Sequence, residues 1–105
     1  MEDEYYISKK YVRRACETAY NGVLIALDTY LLLKGVGKAK GSKSIEYYQD
    51  QIEKIDMRLF REVDSAYGIL YMLGYYDGTL STEIIQEGFR VAYEIIIRIK
   101  PTIPN

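Results

Sequence analysis

The sequence predicts an all-α fold, an up-and-down bundle of four helices (five at most) forming one domain over residues 1–105. Three observations carry this. Apolar residues recur at steps of three and four almost everywhere, the period of amphipathic helices. Both prolines lie in the C-terminal "KPTIPN", so nothing upstream carries a proline break. Glycines stand just past the periodic runs, in "LLLKG" and "YYDGT", where helices end.

The first helix is expected between Tyr6 and Lys34. Val12, Cys16, Ala19, Val23, Ala26, Tyr30 and Leu33 make one apolar row, and Tyr20, Leu24, Leu27 and Leu31 a second beside it. A face this wide suits a helix with more than one neighbour. Lys10, Arg13, Arg14, Glu17, Asn21 and Asp28 cover the other side, and Gly35 is a natural C-cap. Ser44 then reads as an N-cap, with Glu46 in the favourable first turn. Ile45, Tyr48, Ile52 and Ile55 follow as a narrow stripe. Asp56 caps a new helix in the preferred reading, with a break at Lys54–Asp56; the alternative is one continuous helix. Leu59, Val63, Ala66, Leu70 and Leu73 form the next stripe, and Gly78 ends it. Ser81 caps the last helix, and Leu80 and Ile85 have the spacing of a hydrophobic staple. Phe89, Ala92, Ile96 and Ile99 make its main face, widened by Ile84, Val91 and Ile95. Arg90–Glu94 and Glu94–Arg98 are pairs four apart. Pro101 stops the helix.

Composition narrows the chemistry. The chain has no histidine, which removes Ser-His-Asp and Cys-His catalysis, HExxH zinc sites and Glu-x-x-His di-iron sites together. One cysteine, Cys16, allows no internal disulfide or CxxC site and fits a reducing compartment. The net charge of −1 lacks the basic excess of a typical nucleic-acid binder. The acidic start "MEDEYYISKK" is unlike a secretory signal, and Asp28 interrupts the longest apolar run. A cytoplasmic protein without a membrane span is expected. Twelve tyrosines against two phenylalanines suit half-buried surfaces and interfaces.

Two stretches invite a functional reading. "KGVGKAKGSK" places Lys34, Lys38, Lys40 and Lys43 in one loop. It fails as a Walker-type phosphate loop: its glycines are one residue too far apart, Ser42 follows Gly41, and a helix precedes it. It reads as a connector, with an anion or nucleic-acid backbone contact as the alternative. In "SAYGILYMLGYYDG", Tyr67, Tyr71 and Tyr75 follow at four-residue steps along one helix side, with Tyr76 beside them. A base-stacking platform normally lies in a basic groove, whereas the nearest charges are Asp64 and Asp77. These tyrosines are therefore expected at an interface or in the core. Asp28 and Asp64 are each expected to point past the core edge or to accept from a tyrosine hydroxyl or an arginine. Arg13 and Arg14 are expected on a solvated face, and Cys16 in the core as a small hydrophobe.

"ACETAYNGVLIALDTYLLLKG" followed by "SAYGILYMLGYYDG" resembles the small helical bundles of the higher-eukaryote-and-prokaryote nucleotide-binding (HEPN-like) superfamily, and more narrowly a family of short bacterial proteins of unknown function. The resemblance spans about residues 6–100. It implies a four- or five-helix bundle, often dimeric, in a superfamily whose members act as ribonucleases or as partners of nucleotidyltransferases. The ribonuclease motif is an arginine followed after four to six residues by histidine. Neither Arg58 nor Arg61 has such a follower, so no catalytic residue transfers. The expectation is a non-enzymatic interaction module, homodimeric, without metal or cofactor, accessory to a nucleotidyltransferase or a toxin–antitoxin-type system. The alternative is a weak nucleic-acid or nucleotide binder using loop 34–43.

Overall fold

A computed structural model describes residues 9–36, 44–79 and 81–99. Among these residues there are four helices and no β-strand: α1 (Lys9–Leu33), α2 (Ile45–Ile55), α3 (Met57–Ala66) and α4 (Thr82–Ile99). Helix α3 passes without a break into a π-helical segment, Tyr67–Tyr76, because the joining Tyr67 keeps helical dihedrals (φ −60°, ψ −49°).

The helix ends are set by the expected residues. At the end of α1, Val36 N–H donates to the Leu31 carbonyl (2.9 Å) and Gly35 N–H to the Leu32 carbonyl (3.1 Å). This is a Schellman motif, and it needs the left-handed φ of 85° that Gly35 supplies. Ser44 Oγ accepts from Tyr47 N–H at 3.4 Å and starts α2. Asp56 makes the break between α2 and α3. Its extended backbone (φ −151°) closes α2, and its carboxylate accepts from Leu59 N–H at 3.1 Å to open α3. Ser81 Oγ accepts from Ile84 N–H at 3.4 Å. Leu80, the outer half of the expected staple, lies outside the described residues.

Contacts between helices give their directions. Arg13 meets Tyr76, Cys16 meets Gly74, and Tyr20 meets Tyr71 and Tyr67, so α1 and the π segment run antiparallel. Gln49 donates to Asp64 at 2.8 Å across the Asp56 corner, making α2 and α3 a helical hairpin. Glu62 pairs with Arg98 while Ile69 and Leu70 touch Gly88, so α4 runs antiparallel to α3 and the π segment. Helices α1, α2 and α4 thus share one direction, and only α3 with its π extension opposes them. The alternating order expected from the sequence holds from α2 to α3 and from α3 to α4 and fails between α1 and α2: α3 with its π extension opposes α1, so α2, folded back on α3, runs with α1.

The core is apolar throughout. Cys16, Val23, Leu27, Ile52, Leu59, Val63, Leu70, Ile85 and Ile95 are fully buried. On α1 the two expected rows merge: Tyr20, Leu27 and Leu31 are buried, Ala19 and Ala26 are half-buried, and Leu33 is exposed. The α3 stripe departs from expectation at one position. After Leu70 the buried residue is Gly74, and Leu73 is 38% exposed. A π turn closes its hydrogen bonds five residues apart (Asp77 N–H to the Met72 carbonyl, 3.0 Å), so its inward side recurs later than in an α-helix. Gly74 lets the backbones meet there; a Cβ on it would collide with Cys16 Sγ and lie 2.9 Å from Cys16 Cβ. Arg98 also departs from expectation. Its guanidinium forms a two-pronged pair with Glu62 on α3 (2.8 Å and 2.8 Å), while Glu94 pairs with Arg90 at 2.6 Å. The antiparallel packing of α3 on α4 brings a better-placed carboxylate to Arg98 than its own helix offers.

Candidate functional site

The tyrosine row of the π segment is built as one stack with a fourth ring inserted from α1. Tyr67 and Tyr71 lie 5.4 Å apart, nearly parallel at 13°, and Tyr75 follows at 5.7 Å from Tyr71. Tyr20 packs against the first two at 6.2 Å and 5.4 Å. Tyr67 and Tyr71 are half-buried, and Tyr75 and Tyr76 are exposed. Burial pushes the Tyr20 phenol up to about 12, with Tyr67, Tyr71 and Glu46 adding to the effect. The rings nearest the core are used to join the π segment to α1. Of the four candidate tyrosines, Tyr75 and Tyr76 present the most surface outward. Arg13 donates to the Tyr76 carbonyl at 3.4 Å, closing the end of the π segment.

The lysine loop is only partly described. Lys34 holds its ammonium 5.4 Å from the centre of the Tyr30 ring, a cation–π contact beside the end of α1. Lys38, Lys40 and Lys43 lie outside the described residues.

Asp28 accepts from a tyrosine hydroxyl, one of the expected partners, and Asp64 from a glutamine amide, which was not among them. Tyr48 Oη donates to Asp28 Oδ1 at 2.9 Å, tying α2 to α1. Burial first, then this bond, pushes the Tyr48 phenol well above the ordinary tyrosine range. Asp64 accepts from Gln49. Cys16 is fully buried, and burial raises its thiol pKa, which keeps it protonated and unreactive. Among the described residues no group of three or more Cys, Asp or Glu side chains is arranged to hold a metal ion, and no helix is long and apolar enough to cross a membrane. Two open depressions border α4. One, of about 310 Å³, is lined by Arg58, Tyr93, Glu94, Ile97 and Arg98; the other, of about 380 Å³, by Ile69, Leu73, Glu83, Ile84 and Glu87.

The surface that sequence reasoning missed is the outer face of α1. Tyr11 is 69% exposed, Ile25 67% and Leu32 60%, all on the side turned away from the buried residues. Ala15, Thr18, Gly22 and Thr29 lie between them, giving an uncharged line at alternating steps of four and three residues. The charged residues of α1 drew attention to a polar side, yet those beyond Arg14 flank this line instead of interrupting it.

Similarity to other chains bears on the family. The model of a domain of unknown function (DUF5618) matches residues 1–101. The solved structure of a protein of unknown function from Dyadobacter fermentans is similar, at 34% identity and a TM-score of 0.87. The similarity covers 98% of this chain and 79% of that one. No curated protein matches.

Proposed function

We propose, on the premise that this chain belongs to the DUF5618 family of domains of unknown function, that it is a non-enzymatic helical interaction module that pairs with a second copy of itself. One observation carries the reading: the outer face of α1 exposes Tyr11, Ile25 and Leu32 on a line without a charged residue. The solvent side of a bundle helix is ordinarily charged or polar, and an uncharged line carrying exposed large apolar residues along a surface helix marks a contact surface. Self-association covers such a line symmetrically.

The exposed ends of the tyrosine stack, Tyr75 and Tyr76, are a second contact point suited to a protein partner, since tyrosine combines contact area with a hydroxyl. The HEPN-like resemblance belongs to this reading, with a cytoplasmic, nucleotidyltransferase-associated role as its specific form. Light scattering across the micromolar range tests self-association: a dimer mass supports the module, and a monomer mass at every concentration removes it. Affinity purification from the native cell tests the partner: a co-purifying nucleotidyltransferase supports the accessory role, and recovery of this chain alone counts against it.

A further inference from the structure

We infer that two copies associate through α1 alone, packed antiparallel about a two-fold axis beside Val23 and Leu24, with the line from Ala15 to Leu32 as the seam. This rests on the self-association proposed above and specifies its geometry.

The line Tyr11, Ala15, Thr18, Gly22, Ile25, Thr29, Leu32 keeps a 4-3-4-3-4-3 spacing over three heptads. That is the period of a helix seam meeting another helix, and it runs opposite the face that holds Val12, Cys16, Tyr20, Val23 and Leu27 in the core. Large and small residues alternate along it. When the line is set antiparallel against its own copy so that partners sum to 47, Ile25 meets Gly22, Leu32 meets Ala15, and Thr29 meets Thr18. From Ala15 to Leu32 each large side chain then faces a small one, the condition for close interdigitation, and Tyr11 lies beyond the seam.

Gly22 supplies an independent observation. It sits in the middle of a 25-residue helix, where glycine is the poorest helix former after proline, and a Cβ on it would meet nothing within 4 Å. The single chain gives no reason for a glycine there. A copy of Ile25 pressed against the helix backbone gives one. Thr29 also suits burial: its hydroxyl already donates to the Ile25 carbonyl at 3.3 Å and needs no further partner as donor.

Charge selects the direction. Lys9, Lys10, Arg13 and Arg14 crowd the start of α1. Parallel packing places both sets side by side. Antiparallel packing separates the two sets to opposite ends of the seam, leaving Arg13 level with Lys34 of the second copy instead of with its whole basic cluster. A seam about 26 Å long, with axes about 8–10 Å apart, covers on the order of 500 Å² on each copy, near the roughly 1,000 Å² total of a specific interface.

The test uses the full chain with single cysteines introduced on the seam; native Cys16 is fully buried and the unmodified protein is the control. Thr18→Cys and Thr29→Cys proteins are oxidised separately and as an equilibrated mixture with copper–phenanthroline. The expected result is a covalent dimer in the mixture only, because each cysteine lies about 16 Å along the axis from its own copy. Gly22→Leu, which fills the notch, is expected to weaken dimerisation at least tenfold while keeping the helical circular dichroism of the parent. A dimer mass with Thr18→Cys cross-linking to itself, with no cross-link in the mixture, or with full tolerance of Gly22→Leu overturns the antiparallel seam and leaves self-association standing. A monomer mass for the unmodified protein overturns both.

Discussion

Replacing Gly74 by alanine tests the approach of α1 to the π segment, the contact on which the placement of the tyrosine stack depends. The added Cβ would collide with Cys16 Sγ and stand 2.9 Å from Cys16 Cβ, and both groups belong to the fully packed core. Overpacking at such a site costs about 1–3 kcal/mol. Gly68 lies in the same π segment, and a Cβ on it would meet nothing within 4 Å. The same substitution there should stabilise by about 0.5–1 kcal/mol, because alanine restricts the unfolded chain without a clash. One chemical change at two glycines of one segment is therefore expected to have opposite signs. Urea unfolding at fixed protein concentration measures both through the midpoint, provided the slope is unchanged. The Cys16→Ala change removes the sulfur that Gly74→Ala strikes, so the double variant should be less destabilised than the sum of the singles by more than about 0.5 kcal/mol. A Gly74→Ala protein as stable as its parent would refute the close approach.

Other expected outcomes follow from the polar contacts. Tyr20 is held neutral in the folded chain, with its pKa raised from near 10 to about 12. The associated stability, about 3 kcal/mol, is present in full below pH 10 and lost as pH rises through 12, since the unfolded chain gives up the proton first. Alkaline titration followed by circular dichroism should show unfolding in that window, and a Tyr20→Phe protein should be less sensitive to it. Tyr48→Phe removes the hydroxyl that Asp28 accepts and should cost about 1–2 kcal/mol in thermal or urea unfolding; no loss would mean the bond does not hold α2 to α1. Glu62→Ala breaks the pair that joins α3 to α4 and should destabilise by about 1 kcal/mol, with a smaller effect from Glu87→Ala, whose pair lies within α4 and is exposed. Equal losses from the two would show that the α3–α4 pair adds nothing beyond a surface contact.

What was legible in the sequence was local. Ser44, Asp56 and Ser81 cap helices because a short polar side chain reaching a nearby N–H requires only a few residues, and Gly35 ends α1 for an equally local reason. For Asp28 the sequence left a tyrosine hydroxyl, an arginine or a place past the core edge open, and the fold uses the hydroxyl. The π segment was not. Its hydrogen bonds shift by one residue without changing composition, so Leu73 fits the α-helical stripe in the sequence and is turned outward in the fold, with Gly74 taking the buried place. The direction of α2 and the choice of Glu62 by Arg98 depend on packing between segments far apart in the chain. Gly22, Ile25 and Leu32 escaped notice because the broad apolar content of α1 hides a second, outward line among residues that also read as core. The lysine loop gave its composition and no geometry for Lys38, Lys40 and Lys43.

The central claim, that α1 presents a surface for a second copy of the chain, is tested most directly by the mass in solution of the parent protein beside an Ile25→Glu variant. Ile25 is 67% exposed, so the variant should fold unchanged. The account predicts a mass twice that of one chain for the parent in the micromolar range and a single-chain mass for the variant. A parent that stays monomeric, or a variant that remains a dimer, would contradict it.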